Sequence, residues 1–368
     1  VAIPRSSADY YRGQQRILAL LLAAVRQTWR RMSPTERWSE QYDEDGIGAQ
    51  LTMLVGAAQV AAAREADAYI AAVVNELGLT QSATTGVLAP AAFAGVAGDG
   101  RSAETLLALA VQVAGRSFNT RRAASPAAEP LERPEWASEV VWESLERERI
   151  ARLEADIARN LETAAEAALA EAGRWIDQAA ATMVIDAARA AEAAAAATVP
   201  EVTGYTRMLN PPSCSRCVIL AGKFYRWNAG FARHPLCDCR HIPTNESIAG
   251  DLAVNPDAYF ASLSPAEQDR AFTKAGAEAI RLGADINQVV NARRGMETAQ
   301  VYGRDVLITR EGVTRFGQYG RARGGFEKQR GRRYQASQHV RLMPESILQH
   351  ADGRDDALRL LKLHGYIT

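Results

Sequence analysis

Residues 136–198 read WASEVVWESLERERIARLEADIARNLETAAEAALAEAGRWIDQAAATMVIDAARAAEAAAAAT. Val141, Leu145, Leu153, Ile157, Leu161, Ala165, Ala168, Ala172, Trp175, Ile176, Ala179 and Met183 recur at helical spacing and draw one apolar stripe. Glu143, Arg147, Arg152, Glu154, Arg159 and Glu162 take the other faces. At ~1.5 Å per residue a continuous helix here is about 90 Å long, too long to bury itself in a small domain. Two arrangements answer that length: a long core helix of one monomeric bundle, or a helix that packs against copies of itself in an oligomer. The alanine-rich end, AEAAAAAT, joins high helix propensity to small side chains, and Pro200 and Gly204 are expected to end the helix.

The N-terminal side is helical as well. Leu18, Leu21, Leu22, Val25 and Trp29 recur at helical spacing, as do Leu51, Leu54, Val55, Ala58, Ala62 and Ile70 after a break at Asp43 to Gly48. Residues 78–100 turn to Thr, Ser, Gly and Pro90 and read as an irregular segment. Gly98-Asp99-Gly100 follows no strand, which argues against a phosphate-binding loop. Ser102 then caps a helix to about Arg122, and SPAAEPLERPE reads as extended.

On the C-terminal side, Ser264, Pro265 and Glu267 form a capping-box signature for a helix that Gly283 stops. Asp285 to Asn291 is a short helical turn, Gln300 to Thr309 the best strand, and Glu311-Gly312 a turn. Pro344 to His350 and Asp355 to His364 close the chain as short helices; His339, His350 and His364 read as surface or capping residues, and Asp352, Asp355 and Asp356 as caps. The fold expected is mainly α: a helical region at 1–134, a connecting helix at 135–200, a Cys/His module at 201–250 and an α+β region at 251–368.

Lys+Arg and Asp+Glu both total 43, so the formal net charge is zero. Bulk charge thus argues against a general nucleic-acid binder and leaves DNA contact to a local patch. Ile17 to Val25 is apolar but far shorter than the roughly 18 residues of a membrane span. Arginines precede that run, as in a signal peptide, but Arg26, Arg30 and Arg31 follow it with no cleavage site, so an ordinary helix of a non-secreted protein is expected.

All four cysteines fall in one stretch, Leu209 to Glu246. Cys214 and Cys217 form a C-x2-C pair and Cys237 and Cys239 a C-x-C pair, bracketed by His234 and His241. Zinc takes four soft or borderline ligands in a tetrahedron, and a C-x2-C turn supplies two from one side. Six side chains compete for four places: Cys214 and Cys217 are the safest, Cys237 and Cys239 come next with His234 as substitute, and His241 is last. Leu220, Phe224, Tyr225, Trp227 and Phe231 offer a small apolar core, and about forty residues bury too little surface to fold well without such a metal. Two disulfides, free core cysteines and a catalytic zinc are the competing readings.

The run CSRCVILAGKFYRWNAGFARHPLCDCRHIP, with GADINQVVNARRGM, ITREGVTRFGQYG, RLMPESI and LRLLKLHGYI downstream, resembles the MuF-like minor capsid proteins, a phage head morphogenesis family, in the form found in tailed phages of actinobacteria. The resemblance covers about Tyr205 to Ile367. It implies a minor structural protein of the virion, made in the host cytoplasm and placed inside the head near the portal protein. The implied role is in head assembly, DNA packaging or genome delivery, with no enzymatic activity and with oligomeric partners. No G-x-S-x-G occurs and little chain follows residue 300, which argues against a protease or toxin cargo. The alternative is a metal-dependent nuclease of treble-clef type, suggested by the Cys/His grouping and by His241-Ile242-Pro243.

One further stretch carries charge. Arg315, Arg321, Arg323, Lys328, Arg330, Arg332 and Arg333 face a single acid, Glu327, with Phe316, Tyr319, Phe326 and Tyr334 interleaved. A glycine-rich basic loop of this kind can lie on packaged DNA through phosphate contacts or dock on an acidic protein surface.

Overall fold

The computed structural model describes residues 4–34, 37–79, 86–123, 132–135, 138–209, 212–226, 239–252, 254–301, 303–328 and 333–367. The protein is mainly helical with small sheets, and it divides into two compact units that meet in sequence at Thr203 and Gly204.

The first unit holds α1 (Arg5–Trp29), α2 (Trp38–Glu44), α3 (Ile47–Arg64), α4 (Ala66–Glu76), α5 (Ala103–Ala123) and α6 (Glu139–Ala197). Its core is one cluster in which Val25, Ile47, Leu51, Val55, Leu107, Ile176 and Met183 are closed off from solvent among buried alanines of α5 and α6. Alanines let backbones approach but each buries little area, so the bundle's hydrophobic stabilisation rests on the larger side chains, at about 1.5–3 kcal/mol apiece. Gly173 shows how close the approach is: a Cβ there would lie 3.0 Å from Trp29 Cδ1, and the Trp29 indole donates to Leu169 O at 3.0 Å. Gln59, fully buried on α3, holds the irregular segment against the bundle. Its Nε2 donates to Val96 O at 2.8 Å and its Oε1 accepts from Gly95 N–H at 2.8 Å. Ser102 caps α5 as expected, its Oγ accepting from Thr105 N–H at 3.1 Å.

The long helix is a single element, as its periodicity predicts, but only part of it lies in the bundle. Its buried residues begin at Ala164 and continue through Ala168, Ala172, Ile176, Ala180 and Met183, so Ala180 rather than Ala179 carries the stripe inward. Before Ala164 nothing on α6 is buried: Val141, Leu145, Ile150 and Ile157 are exposed, and Trp142 and Leu153 half-buried. The helix ends at Ala197; Gly204 does not terminate it but opens a strand.

The second unit begins with a three-stranded antiparallel sheet in the order β2-β1-β3, formed by β1 (Gly204–Met208), β2 (Phe224–Arg226) and β3 (Arg240–Thr244). The helix α7 (Ser215–Leu220) lies between β1 and β2 in the chain. Gly204 is required by packing, since a Cβ would lie 2.1 Å from Tyr225 O. The expected apolar core of this stretch is only partly right: Leu220, Phe224 and Tyr225 are half-buried, Trp227 and Phe231 lie outside the described residues, and Tyr205, Met208, Val218, Ile219 and Ile242 fill the interior.

Then follow α8 (Glu246–Ala249), α9 (Pro256–Ser262), α10 (Pro265–Phe272), α11 (Lys274–Arg281) and α12 (Ile286–Ala292). The capping box at Ser264 and Glu267 is present, but the helix expected to reach Gly283 is broken in two at Thr273. Thr273 sits at φ 66°, ψ 156°, a region costly for a side-chain-bearing residue. Its hydroxyl offsets that cost by accepting from Gly276 N–H at 3.3 Å and Arg293 Nη1 at 3.1 Å. The strand expected over Gln300 to Thr309 is instead a hairpin of β4 (Met296–Val301) and β5 (Arg304–Thr309), turning at Gly303 with φ 75°. The stretch expected as a basic loop contains α13 (Gln318–Arg323) and β6 (Phe326–Glu327), and β6 pairs antiparallel with β7 (Ala336–Ser337). The chain ends with β8 (Arg341–Leu342) on β5, then α14 (Pro344–His350) and α15 (Arg354–Leu363).

His364 is not a surface residue. It is 6% exposed, its Nδ1 accepts from Leu342 N–H at 3.2 Å, and burial, with Arg323 and Arg341 nearby, pushes its pKa down to about 4. In the unfolded chain the imidazole titrates near 6.5. Between those values the unfolded chain binds a proton that the folded chain refuses. The contribution of neutral His364 is therefore complete above about pH 6.5 and is lost as pH falls toward 4, at up to about 1.4 kcal/mol per pH unit. Replacing His364→Asn, which keeps an acceptor for Leu342 N–H, is expected to flatten the pH dependence of the second unit's melting between pH 4 and 6.5. An unchanged slope in calorimetry would contradict the assignment.

Candidate metal centre and basic surface

The C-x2-C pair is built by the start of α7. Cys214 is the N-cap residue, in extended conformation, and its Sγ accepts from Cys217 N–H at 3.5 Å. This turn brings the two sulfurs to 3.4 Å. A disulfide requires about 2.05 Å, so these are two free thiols lying close together. Ligands at about 2.3 Å on a tetrahedral zinc lie roughly 3.7–3.8 Å apart, close to the spacing seen. Cys217 is buried, and Arg207 Nη2 of β1 approaches its Sγ at 3.2 Å, a positive partner for sulfur in its anionic form.

Cys239 is buried immediately before β3. The β1–β3 register pairs Met208 with Arg240, so Cys239 enters the sheet at the end from which β1 leaves toward Cys214. Cys237 and His234 lie outside the described residues. Among the described residues no three metal-ligating side chains form a group, and Cys214 and Cys217 are the pair that comes together. The donor chemistry there, two close soft sulfurs with a cationic neighbour, fits zinc. His241 is 5% exposed, pairs across from Arg207 and stacks on Tyr205 with ring centroids 4.3 Å apart. Arg207 carried no signal in the sequence, because a lone arginine in GYTRM has no pattern that marks it as a neighbour of the thiols.

The basic residues divide in the same way. Arg330 and Arg332 lie outside the described residues; Arg315, Arg321, Arg323, Lys328 and Arg333 are exposed. Among the described residues none of these five forms an ion pair with a carboxylate. The bridge Thr314 to Ala336 brings the two ends of this segment together. As a result Phe316 and Tyr334 meet edge to face at 5.2 Å, with Arg315 over the Phe316 ring at 4.8 Å and Arg333 over the Tyr334 ring at 5.4 Å. Lys328 Nζ donates to Arg333 O at 2.8 Å.

Among the described residues no single helix is long and apolar enough to cross a membrane. Compared with protein-family models, with curated proteins and with solved structures, the chain matches none.

Proposed function

We propose that this chain is a structural, non-catalytic minor head protein of a tailed phage, of the MuF-like kind it resembles, acting inside the capsid at the portal in head assembly, DNA packaging or genome delivery. The observation that carries the assembly role is the arm of α6 before Ala164. Trp142, Ile150, Leu153 and Ile157 recur there at helical spacing and run into Leu161, Ala164 and Ala168, which pack in the bundle. Glu146, paired with Arg149 at 2.7 Å, interrupts the stripe. A monomer has no use for about seven turns of helix with no buried residue, whereas an assembly protein presents such a face to a partner helix. The partners are the portal and other head proteins, with the chain oligomeric in the virion.

In this reading zinc is held by Cys214 and Cys217 with two of Cys237, Cys239 and His234, and it cross-links the sheet module. The nuclease alternative asks His241 to act as a base on substrate, and its burial against Tyr205 argues against that role.

The test places charge on the arm. The triple variant Ile150→Glu, Leu153→Glu, Ile157→Glu is expected to melt as the parent does, since none of the three is buried. Its incorporation into particles, counted by mass spectrometry of purified heads, is expected to fall roughly tenfold or more. Incorporation at the parental level would overturn the assembly role.

A further inference from the structure

We propose that the surface around Phe316 and Tyr334 binds single-stranded nucleic acid, by stacking unpaired bases on the two rings and holding the backbone with the flanking arginines. The reading stands on these side chains and does not require the head-protein assignment.

Three observations carry it. Phe316 is 60% exposed and Tyr334 is 44% exposed, and the two rings meet each other edge to face. A protein normally buries rings of this size, and the neighbouring apolar cluster of Val313, Tyr319 and Ala336 leaves these two outside. Second, each ring already carries a guanidinium, Arg315 on one and Arg333 on the other, so ring and cation are held together. Third, Arg315, Arg333, Arg321 and Arg323 are exposed and, among the described residues, have no carboxylate within ion-pair distance. Their charge is available to a polyanion.

Duplex DNA presents phosphates but no free base face, so it could use the arginines and not the rings. An acidic protein surface likewise needs only the cations. An unstacked strand alone uses both: stacking is worth about 1–3 kcal/mol per base, and phosphate contacts add a salt-dependent term.

The experiment measures anisotropy of labelled (dT)20, of a 20-base-pair duplex and of polyglutamate with the full chain. The strand is expected to bind most tightly, with log K falling against log salt at about 0.7 per phosphate contacted. The double variant Phe316→Ala, Tyr334→Ala is expected to weaken the strand roughly tenfold or more while leaving the salt slope and the duplex unchanged. Replacing both rings by tryptophan restores binding. Arg315→Gln with Arg333→Gln lowers both affinities and reduces the strand's slope by about 1.4. The melting temperature is compared for every variant. Overturning results are duplex or polyglutamate binding at least as tight as the strand, a strand affinity indifferent to the loss of both rings, or no strand binding at low salt.

Discussion

On the zinc reading proposed above, a chelator or the replacement Cys217→Ser is expected to unfold the β2-β1-β3 module and lower the second unit's melting temperature by more than about 10 °C, while the helical unit melts as before. The sheet is small: β2 offers three residues, and α7 six. A patch of this size buries too little apolar area to hold itself, whereas a structural zinc contributes on the order of 10 kcal/mol to the folded form. Whole domains are stable by only about 5–15 kcal/mol, so loss of such a cross-link exceeds what the remaining contacts can absorb. The signature is selective. Calorimetry of the full chain should show one transition displaced and one fixed, and metal analysis should give one zinc per chain in the parent and none in the variant. His241→Ala is the control: it removes a buried ring stacked on Tyr205 and is expected to cost about 2–3 kcal/mol, well below the loss of a structural metal. A parent chain free of zinc, or a Cys217→Ser chain whose second transition does not move, would remove the metal from the account.

Most of the helical architecture was legible because helices advertise themselves locally. The stripe of α6, the cap at Ser102, the box at Ser264 and the short helix expected from Asp285 each depend on residues within one or two turns. What escaped depends on distant neighbours. All five residues of β1 are buried, so GYTRM lacks the alternation that marks a half-exposed strand. The helix from Ser264 keeps its periodicity past Thr273, and the break there is stabilised by Arg293, supplied by a later element. The β4–β5 hairpin looks like one strand in the sequence because Val301 and Tyr302 before Gly303 and Val306 to Ile308 after it are all strand formers, and the positive φ of Gly303 marks the turn. Of the candidate metal centre, the closeness of Cys214 and Cys217 was legible from the C-x2-C spacing, while Arg207 came only with the sheet register. In the basic segment the charges were plain from composition, but the pairing of Phe316 with Tyr334 needed the Thr314–Ala336 bridge.

Replacing Arg341→Met is expected to destabilise the second unit by about 3–5 kcal/mol, although the residue is in no ion pair among the described residues. Arg341 is 1% exposed at the start of β8, and burial holds its pKa below the usual arginine range. Its charge is accommodated by three backbone oxygens and one side-chain amide oxygen. Nε donates to His364 O at 2.9 Å, Nη1 to Glu311 O at 2.9 Å, and Nη2 to Gln288 Oε1 at 3.1 Å and Gly365 O at 3.3 Å. The Tyr366 ring lies 4.3 Å from the guanidinium carbon, and its hydroxyl donates to Leu342 O at 2.9 Å. One side chain thus joins the turn after β5, the helix α12 and the end of α15. Methionine fills a similar volume but leaves those carbonyls buried without donors, and each orphan costs about 1–3 kcal/mol. Lysine keeps the charge but not the planar fork that reaches several acceptors at once, so Arg341→Lys is expected to recover only part of the loss. Denaturant titration of the full chain, with the second transition followed separately, distinguishes the two. A methionine variant within about 1 kcal/mol of the parent would mean that water or a backbone shift satisfies these oxygens, and that the guanidinium does not hold the three segments together.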